Sequence, residues 1–176
     1  MIKKFASYRF ILIPVFLGFL LAALIIPWIM INFLGKFSYS PLDIVIGIFS
    51  KSQNVINLFD LMSDFNDSYF AFIFSIFIYV ISFVSIGIIF PLLKKHRLKI
   101  LLIAGMLAIV SGLFWIYSIE SYKIHFIQNA ISAGGIIGEE FKGQESIIIN
   151  TIFIMRFGHY ISIIGGLIAI FAYLWR

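Results

Sequence analysis

The chain has 176 residues, 62% of them hydrophobic and 12% charged, with a net charge of +5 and no cysteine. Soluble domains are about one quarter charged, so this composition excludes a water-facing globule, and its apolar content excludes disorder. A mean hydropathy of +1.08 points instead to an integral membrane protein, and the missing cysteine removes disulfides, thiol catalysis, iron–sulfur clusters and cysteine zinc sites.

Crossing about 30 Å of hydrocarbon takes roughly 20 apolar residues. Residues 10–34 form the first stretch of that kind and carry no charge. Lys3 and Lys4 before it, and Ala22 and Ala23 within it, resemble a signal peptide. The run is too long for one, however, and has no A-x-A site, so a retained span is expected. An outer loop follows over 35–68. It opens on the turn signal Phe37-Ser-Tyr-Ser-Pro41; 42–49 is a β-branched run that suits a strand or short buried segment. Residues 54–65 read as an amphipathic helix, with Asn54, Asn57, Asp60 and Asp64 on one face. Asn66-Asp67-Ser68 is a glycosylation sequon too close to the next span to be used.

The second span is expected at 69–93, an inner turn at 94–99 and the third span at 100–119. A second outer loop covers 120–150. In it Tyr122, Ile124 and Phe126 alternate with Lys123 and His125, as in a half-buried strand. Gly134, Gly135 and Gly138 mark turns, and 146–154 is either a strand or an upward extension of the fourth span, 157–175. The fold expected is thus all-α: a left-handed four-helix transmembrane bundle in one domain, with two structured outer loops.

Charge sets the orientation. Lys3, Lys4, Arg9, Lys94, Lys95, Arg97, Lys99 and Arg176 fall on one side with no acid. Lys36, Lys51, Lys123, Lys142, Arg156 and all eight acids fall on the other. The positive-inside rule then makes both termini cytoplasmic and the two loops external, in a multi-pass protein of the cell membrane. The basic excess is a topology signal that also attracts anionic lipid, and no nucleic-acid partner is needed to explain it. Trp28, Trp115 and Tyr117 are expected at the outer interface, Tyr8 and Trp175 at the inner one.

Small residues recur at steps of three and four, with Ile78 and Trp115 as the large exceptions in the second and third spans. The small ones are Ala71, Ser75, Ser82 and Ser85 in the second span, and Ala104, Ala108, Ser111 and Ser118 in the third. The fourth has Gly158, Ser162, Gly165, Ala169 and Ala172. In lipid, such stripes let helices approach closely. They serve packing within one chain, or one of them faces a second chain.

This layout resembles the claudin-like group of four-span proteins, which have cytoplasmic termini and a larger, strand-bearing first outer loop. The tryptophan and cysteines of the claudin first-loop signature are absent, so the resemblance implies topology and no claudin activity. The segment Tyr39-Ser-Pro-Leu-Asp43, with Gly158 and Gly165-Gly166, is also similar to small prokaryotic four-span proteins that imply no established activity.

The sequence has no catalytic motif and calls for no metal or cofactor. His96 lies at the inner turn, while His125 and His159 are both external enough to be a conceivable haem pair. The chemistry-bearing cluster is Arg156, His159 and Tyr160 at the outer mouth of the fourth span. Either Arg156 pairs with Glu120 or Glu145 to fix the loops, or the cluster takes a lipid phosphate or quinone head. The functional expectation is non-enzymatic assembly: an adaptor or accessory subunit of a membrane or cell-envelope complex, touching lipids and other protein chains or its own copies. An accessory subunit of a quinone- or haem-linked redox enzyme is the alternative, and a small channel or transporter the third.

Overall fold

The computed structural model describes residues 2–32, 36–89, 97–132 and 145–174. Helix accounts for 84% of the structure, alongside a small three-stranded sheet. Helix α1 spans Ile2–Ile25, β1 Ile29–Asn32 and β2 Lys36–Tyr39. Helices α2 (Pro41–Ser50), α3 (Gln53–Ser63) and α4 (Asn66–Val84) follow, the last running into a π-helical turn at Ser85–Ile89. Then come α5 (Arg97–Ser132), α6 (Glu145–Ile152), β3 (Phe153–Met155) and α7 (Gly158–Leu174). Among the described residues two helical stretches are long and apolar enough to cross a membrane, Asn66–Gly87 and Leu98–Asn129. Ile11–Ile25 and Gly158–Leu174 are shorter apolar helices.

Helix α1 packs on α7, α7 on α5, and α5 on α4. The contacts are made by small side chains. An added Cβ on Gly105 would lie 2.6 Å from the Ala169 Cβ and 2.9 Å from the Gly166 carbonyl oxygen. One on Gly165 would lie 2.8 Å from the Phe19 Cβ of α1. Backbones this close leave no room for a side chain between them. Serine hydroxyls complete the contact. Ser75 and Ser111 each donate to the other's carbonyl, at 3.0 and 2.9 Å. Ser82 donates to the Ala104 carbonyl at 2.8 Å, and Ser118 to that of Ser68 at 2.9 Å. These bonds recur every seven residues down α4 and every seven up α5, the register of an antiparallel heptad pair. Ser162 of α7 donates to the Ala108 carbonyl in the same manner, at 2.9 Å.

A second layer of structure sits where α1 ends and α7 begins. Expected as a continuous helix to residue 34, the first apolar run stops at Ile25 and re-forms as a strand from Ile29. Pro27 is the physical reason: it lacks an N–H and disfavours helical geometry at Ile26. Residues 33–35 lie outside the described residues. Strand β1 is central, antiparallel to β2 with Ile29 opposite Tyr39, and to β3 with Ile29 opposite Met155. The sheet therefore clasps the end of α1 to the start of α7. Phe37–Tyr39, expected in a turn, belongs to β2.

Three further expectations change. Residues 42–49, read as a strand or short buried segment, lie in α2. The decisive signal is upstream: the Ser40 hydroxyl accepts from the Asp43 N–H at 3.2 Å, Asp43 Oδ2 accepts from the Ser40 N–H at 2.8 Å, and Pro41 takes the first helical position. Lys51 ends α2 in the left-handed region at φ 53°. Gly47 meets Val55 so closely that a Cβ would collide with it, which lets α3 fold back on α2. Tyr122–Phe126, read as a strand, lies in α5, which has no glycine or proline after Gly112 to stop it and continues beyond residue 119 to Ser132. The inner turn narrows likewise, because Arg97–Lys99 already belong to α5. Residues 146–152 are helical and Phe153–Met155 form β3, so 146–154 is neither all strand nor a simple extension of the next helix. The amphipathic helix expected at 54–65 is α3, ending at Ser63, with Val55, Leu58 and Met62 buried.

Pro91, Lys94, Lys95, His96, Gly134, Gly135, Gly138, Glu139, Glu140, Lys142, Trp175 and Arg176 lie outside the described residues, as do the side chains of Lys3, Lys4, Tyr8, Arg9, Arg97, Glu145 and Ser146.

Candidate functional site

Trp28 is the hub of the structure and fully buried, as is Trp115. Its N–H donates to the Tyr39 carbonyl and its carbonyl accepts from the Arg156 N–H, both at 2.9 Å, so it extends the sheet by one residue. The indole Nε1 donates to the Ala23 carbonyl at 2.7 Å, back into the last turn of α1. Edge-to-face rings surround it: Tyr79 at 5.1 Å and Trp115 at 5.2 Å between centroids. The Tyr79 hydroxyl donates to the Leu20 carbonyl. Four helices and the sheet thus meet on one indole. Tyr117, by contrast, is exposed.

The Arg156, His159 and Tyr160 cluster is built around this hub. Gly158 N–H donates to the Pro27 carbonyl at 3.2 Å, and Gly158 packs so tightly on Trp28 that a Cβ has no space. The next residue, His159, is therefore drawn fully inside, 6.5 Å from Trp28 and 4.0 Å from Tyr160 between ring centroids. Both ring nitrogens of His159 are buried near the Trp28 and Arg156 backbone, without a well-formed hydrogen bond to either. Tyr160 points outward and is half exposed. Arg156 is half-buried and donates through Nη2 to the Met30 Sδ at 2.9 Å. The expected pairing with Glu120 does not form. Glu120 instead bridges Lys123 at 3.0 Å, three residues along the same helix, and Glu145 lies outside the described side chains. Among the described residues Arg156 has no carboxylate at ion-pair distance. It borders a recess of about 250 Å³ with Met30, Ser38 and Phe157.

His125 and His159 do not converge. The His159 carbonyl lies against Gly112 of α5, and His125 is 13 residues farther along that helix, about 20 Å at 1.5 Å per residue. His125 stacks on Phe65 at 5.3 Å. Among the described residues no group of three metal-ligating side chains forms.

All thirteen residues of the small-residue stripes, from Ala71 to Ala172, are buried within the single chain. Those of α4 face α5, and those of α7 meet α1 and α5.

One cavity was not signalled by the sequence. It holds about 430 Å³ between the sheet, α3, α5 and α6, and is lined by Tyr39, Leu58, Leu61, Tyr122, Phe126 and Phe153 among others. Tyr39 donates from its hydroxyl to the Asn54 carbonyl at 3.1 Å. Tyr122 is buried with its hydroxyl unpartnered. Burial pushes the phenol pKa of both upward; for Tyr122 the negative charge of Asp64 adds to it. Beside them Lys123 is buried with its amine held by Glu120 and, at 2.9 Å, by Asn150 Oδ1. The helical pairing of Tyr122 with Phe126, stacked at 6.2 Å, was masked in the sequence by the accidental alternation around Lys123 and His125.

No family model, curated protein or solved structure matches the chain.

Proposed function

We propose that the chain is a non-enzymatic four-span membrane protein that serves assembly, as an adaptor or accessory subunit of a membrane or cell-envelope complex. The observation that carries this reading is the apolar ridge on α2: Ile46, Ile48 and Phe49 are exposed, Phe49 to 84%, on a helix otherwise locked down at both ends. The stripes of small residues are consumed inside the chain, which leaves this ridge and the outer unit to meet a partner. Aromatics with open faces are favoured anchors at protein interfaces.

The membrane part rests on an inverted distribution of side chains. Serine, glycine and alanine fill the helix contacts, while Phe70, Phe74, Phe77, Ile103, Met106, Leu113, Leu167 and Phe171 face outward. Water would penalise so large an apolar surface, whereas lipid rewards small residues at helix contacts. In this proposal α1, α4, α5 and α7 form the left-handed bundle that a heptad register implies. Both termini are then cytoplasmic, and the layout resembles claudin-like topology.

Photo-crosslinking in intact cells tests assembly. Benzoylphenylalanine at position 49 is expected to give a discrete protein adduct that the same group at lipid-facing position 74 does not; lipid adducts at both positions would remove the assembly role. Topology is tested on the cysteine-free background. Asn57→Cys should react with an impermeant maleimide from outside, and Lys99→Cys only after permeabilisation.

A second reading has one observation in its favour, the recess at Arg156. A guanidinium with no carboxylate partner among the described residues, beside the Ser38 residue of β2, suits an outer-leaflet phosphate. If Arg156→Gln lowers stability and leaves phospholipid binding unchanged, this second reading falls.

A further inference from the structure

The cavity between the sheet, α3 and α5 has the makings of a ligand site. Its volume of about 430 Å³ falls in the range of small-molecule pockets, roughly 300–1,000 Å³. Its walls are mostly rings and aliphatic chains, with the exposed Asn54 and Asn57 as the two amides, and among the described residues no charged side chain lines it. Lys123 is close by in sequence but engaged with Glu120 and Asn150, so it offers no cation to a ligand. A charged head entering these walls would lose its hydration with no charged side chain in the described lining to pair with; Asp64, whose charge reaches Tyr122, is exposed and outside that lining.

One buried polar group of the described lining remains unspent. Tyr122 lines the cavity, is 1% exposed, and its hydroxyl has no hydrogen-bond partner, whereas the other lining phenol, Tyr39, is already engaged. A buried hydroxyl without a partner is destabilising, and an oxygen brought in by a ligand would satisfy it. Phe37 and Phe126 are partly exposed, so they form apolar rims through which a chain can enter. At the ~30 Å³ that a water molecule takes in the liquid, the cavity has room for about fourteen non-hydrogen atoms.

We propose that this cavity binds one uncharged lipid chain of about a dozen carbons, a fatty alcohol or acyl ester, whose head oxygen accepts a hydrogen bond from the Tyr122 hydroxyl. The proposal rests on the membrane placement above for the source of the lipid, but not for the fit. It concerns the outer unit and leaves the ridge on α2 free for a protein partner.

The test uses the full chain in detergent micelles and a diazirine-bearing dodecanol as probe. Light is expected to place the adduct on the peptides holding Leu58–Leu61 and Tyr122–Phe126. Dodecanol should compete for it, and dodecyltrimethylammonium, with the same chain and a fixed charge, should not. Leu61→Trp, which fills the cavity, should cut labelling at least tenfold with an unchanged melting temperature. Tyr122→Phe should weaken apparent affinity about fivefold, the worth of one neutral hydrogen bond; it decides the matter if Leu61→Trp fails to fold. Labelling confined to outward-facing helix residues such as Phe74 and Leu167 overturns the proposal, as does equal competition by the cation. An alkaline wash of native membranes separates the two ideas. Chain released by the wash with cavity labelling intact overturns the membrane placement alone, whereas retained chain without cavity labelling overturns the lipid site alone.

Discussion

Replacing Gly158 by alanine probes the junction on which the structure turns. The new Cβ would lie 2.5 Å from the Ile26 carbonyl oxygen and 2.7 Å from the Trp28 Nε1, and closer still to the indole Cδ1. Backbone and a ring held on all sides cannot both yield, so the strand-to-helix connection must move. Overpacking of this kind costs about 1–3 kcal/mol. Shifting the connection also strains the Gly158–Pro27 and Arg156–Trp28 backbone bonds, each worth about 1 kcal/mol. The expected loss is about 3 kcal/mol, more than a hundredfold in the folding equilibrium. Gly18→Ala is the matched control. It lies in α1 with nothing within 4 Å of the added Cβ, and should be neutral or stabilising by up to about 1 kcal/mol. Reversible unfolding in mixed micelles, followed by near-ultraviolet circular dichroism of the buried Trp28 and Trp115, measures both. If Gly158→Ala proves as mild as Gly18→Ala, the central role given to Trp28 is wrong.

Other consequences follow from the hydrogen bonds and the buried phenols. Ser75→Ala and Ser111→Ala should each cost about 0.6–1.7 kcal/mol in lipid or micelle, and nearly additively, because each hydroxyl bonds the other's backbone carbonyl; no loss from either would mean the reciprocal bonds are not formed. Asp43→Ala removes the side-chain half of the α2 cap and should cost about 1 kcal/mol in thermal unfolding, with helix content lost from the outer unit alone. Stability should be flat below pH 10 with respect to Tyr122 and fall above it. The phenol's folded pKa is raised by burial and then by Asp64, so the unfolded chain, with the ordinary value near 10, ionises first and gains. Tyr122→Phe should flatten this alkaline slope in melting curves from pH 8 to 11, and an unaltered slope counts against a buried hydroxyl.

How much of this was legible in the sequence varies by element. The helix-contact residues could be read because spacing carries them: Ser75, Ser82 and Ser111 are small at positions where the rest of each helix is large, and all are buried. The strand at Ile29 could not be read from hydropathy, which is equally high for an apolar strand and for the last turns of a spanning helix; only Pro27 hinted at the break. The start of α2 was legible in Ser40-Pro41-Leu42-Asp43, a helix entry that β-branched Ile44, Val45 and Ile46 disguised. The Arg156 site turned on long-range pairing. Which acid answers which base depends on where α5 ends, and its continuation past Ile119 gave Glu120 to Lys123. The cavity at Tyr122 has no local signature, since its walls come from four separate elements.

The serine bonds between α4 and α5 have one more implication. Because they repeat every seven residues on both helices, they are a degenerate ruler. Sliding α4 by one heptad, about 10 Å, would still set Ser82 against Ser111 and Ser75 against Ser118. Such bonds hold two helices together without telling them where to stop. The index mark is aromatic: Phe72 and Trp28 grip Trp115 at 5.1 and 5.2 Å, and the equivalent slots one heptad away hold Ala108, which has no ring, and Tyr122, whose single ring is smaller than an indole. Adhesion and alignment are thus assigned to different residues, so a helix of this chain can lose a serine and stay in step, but not Trp115.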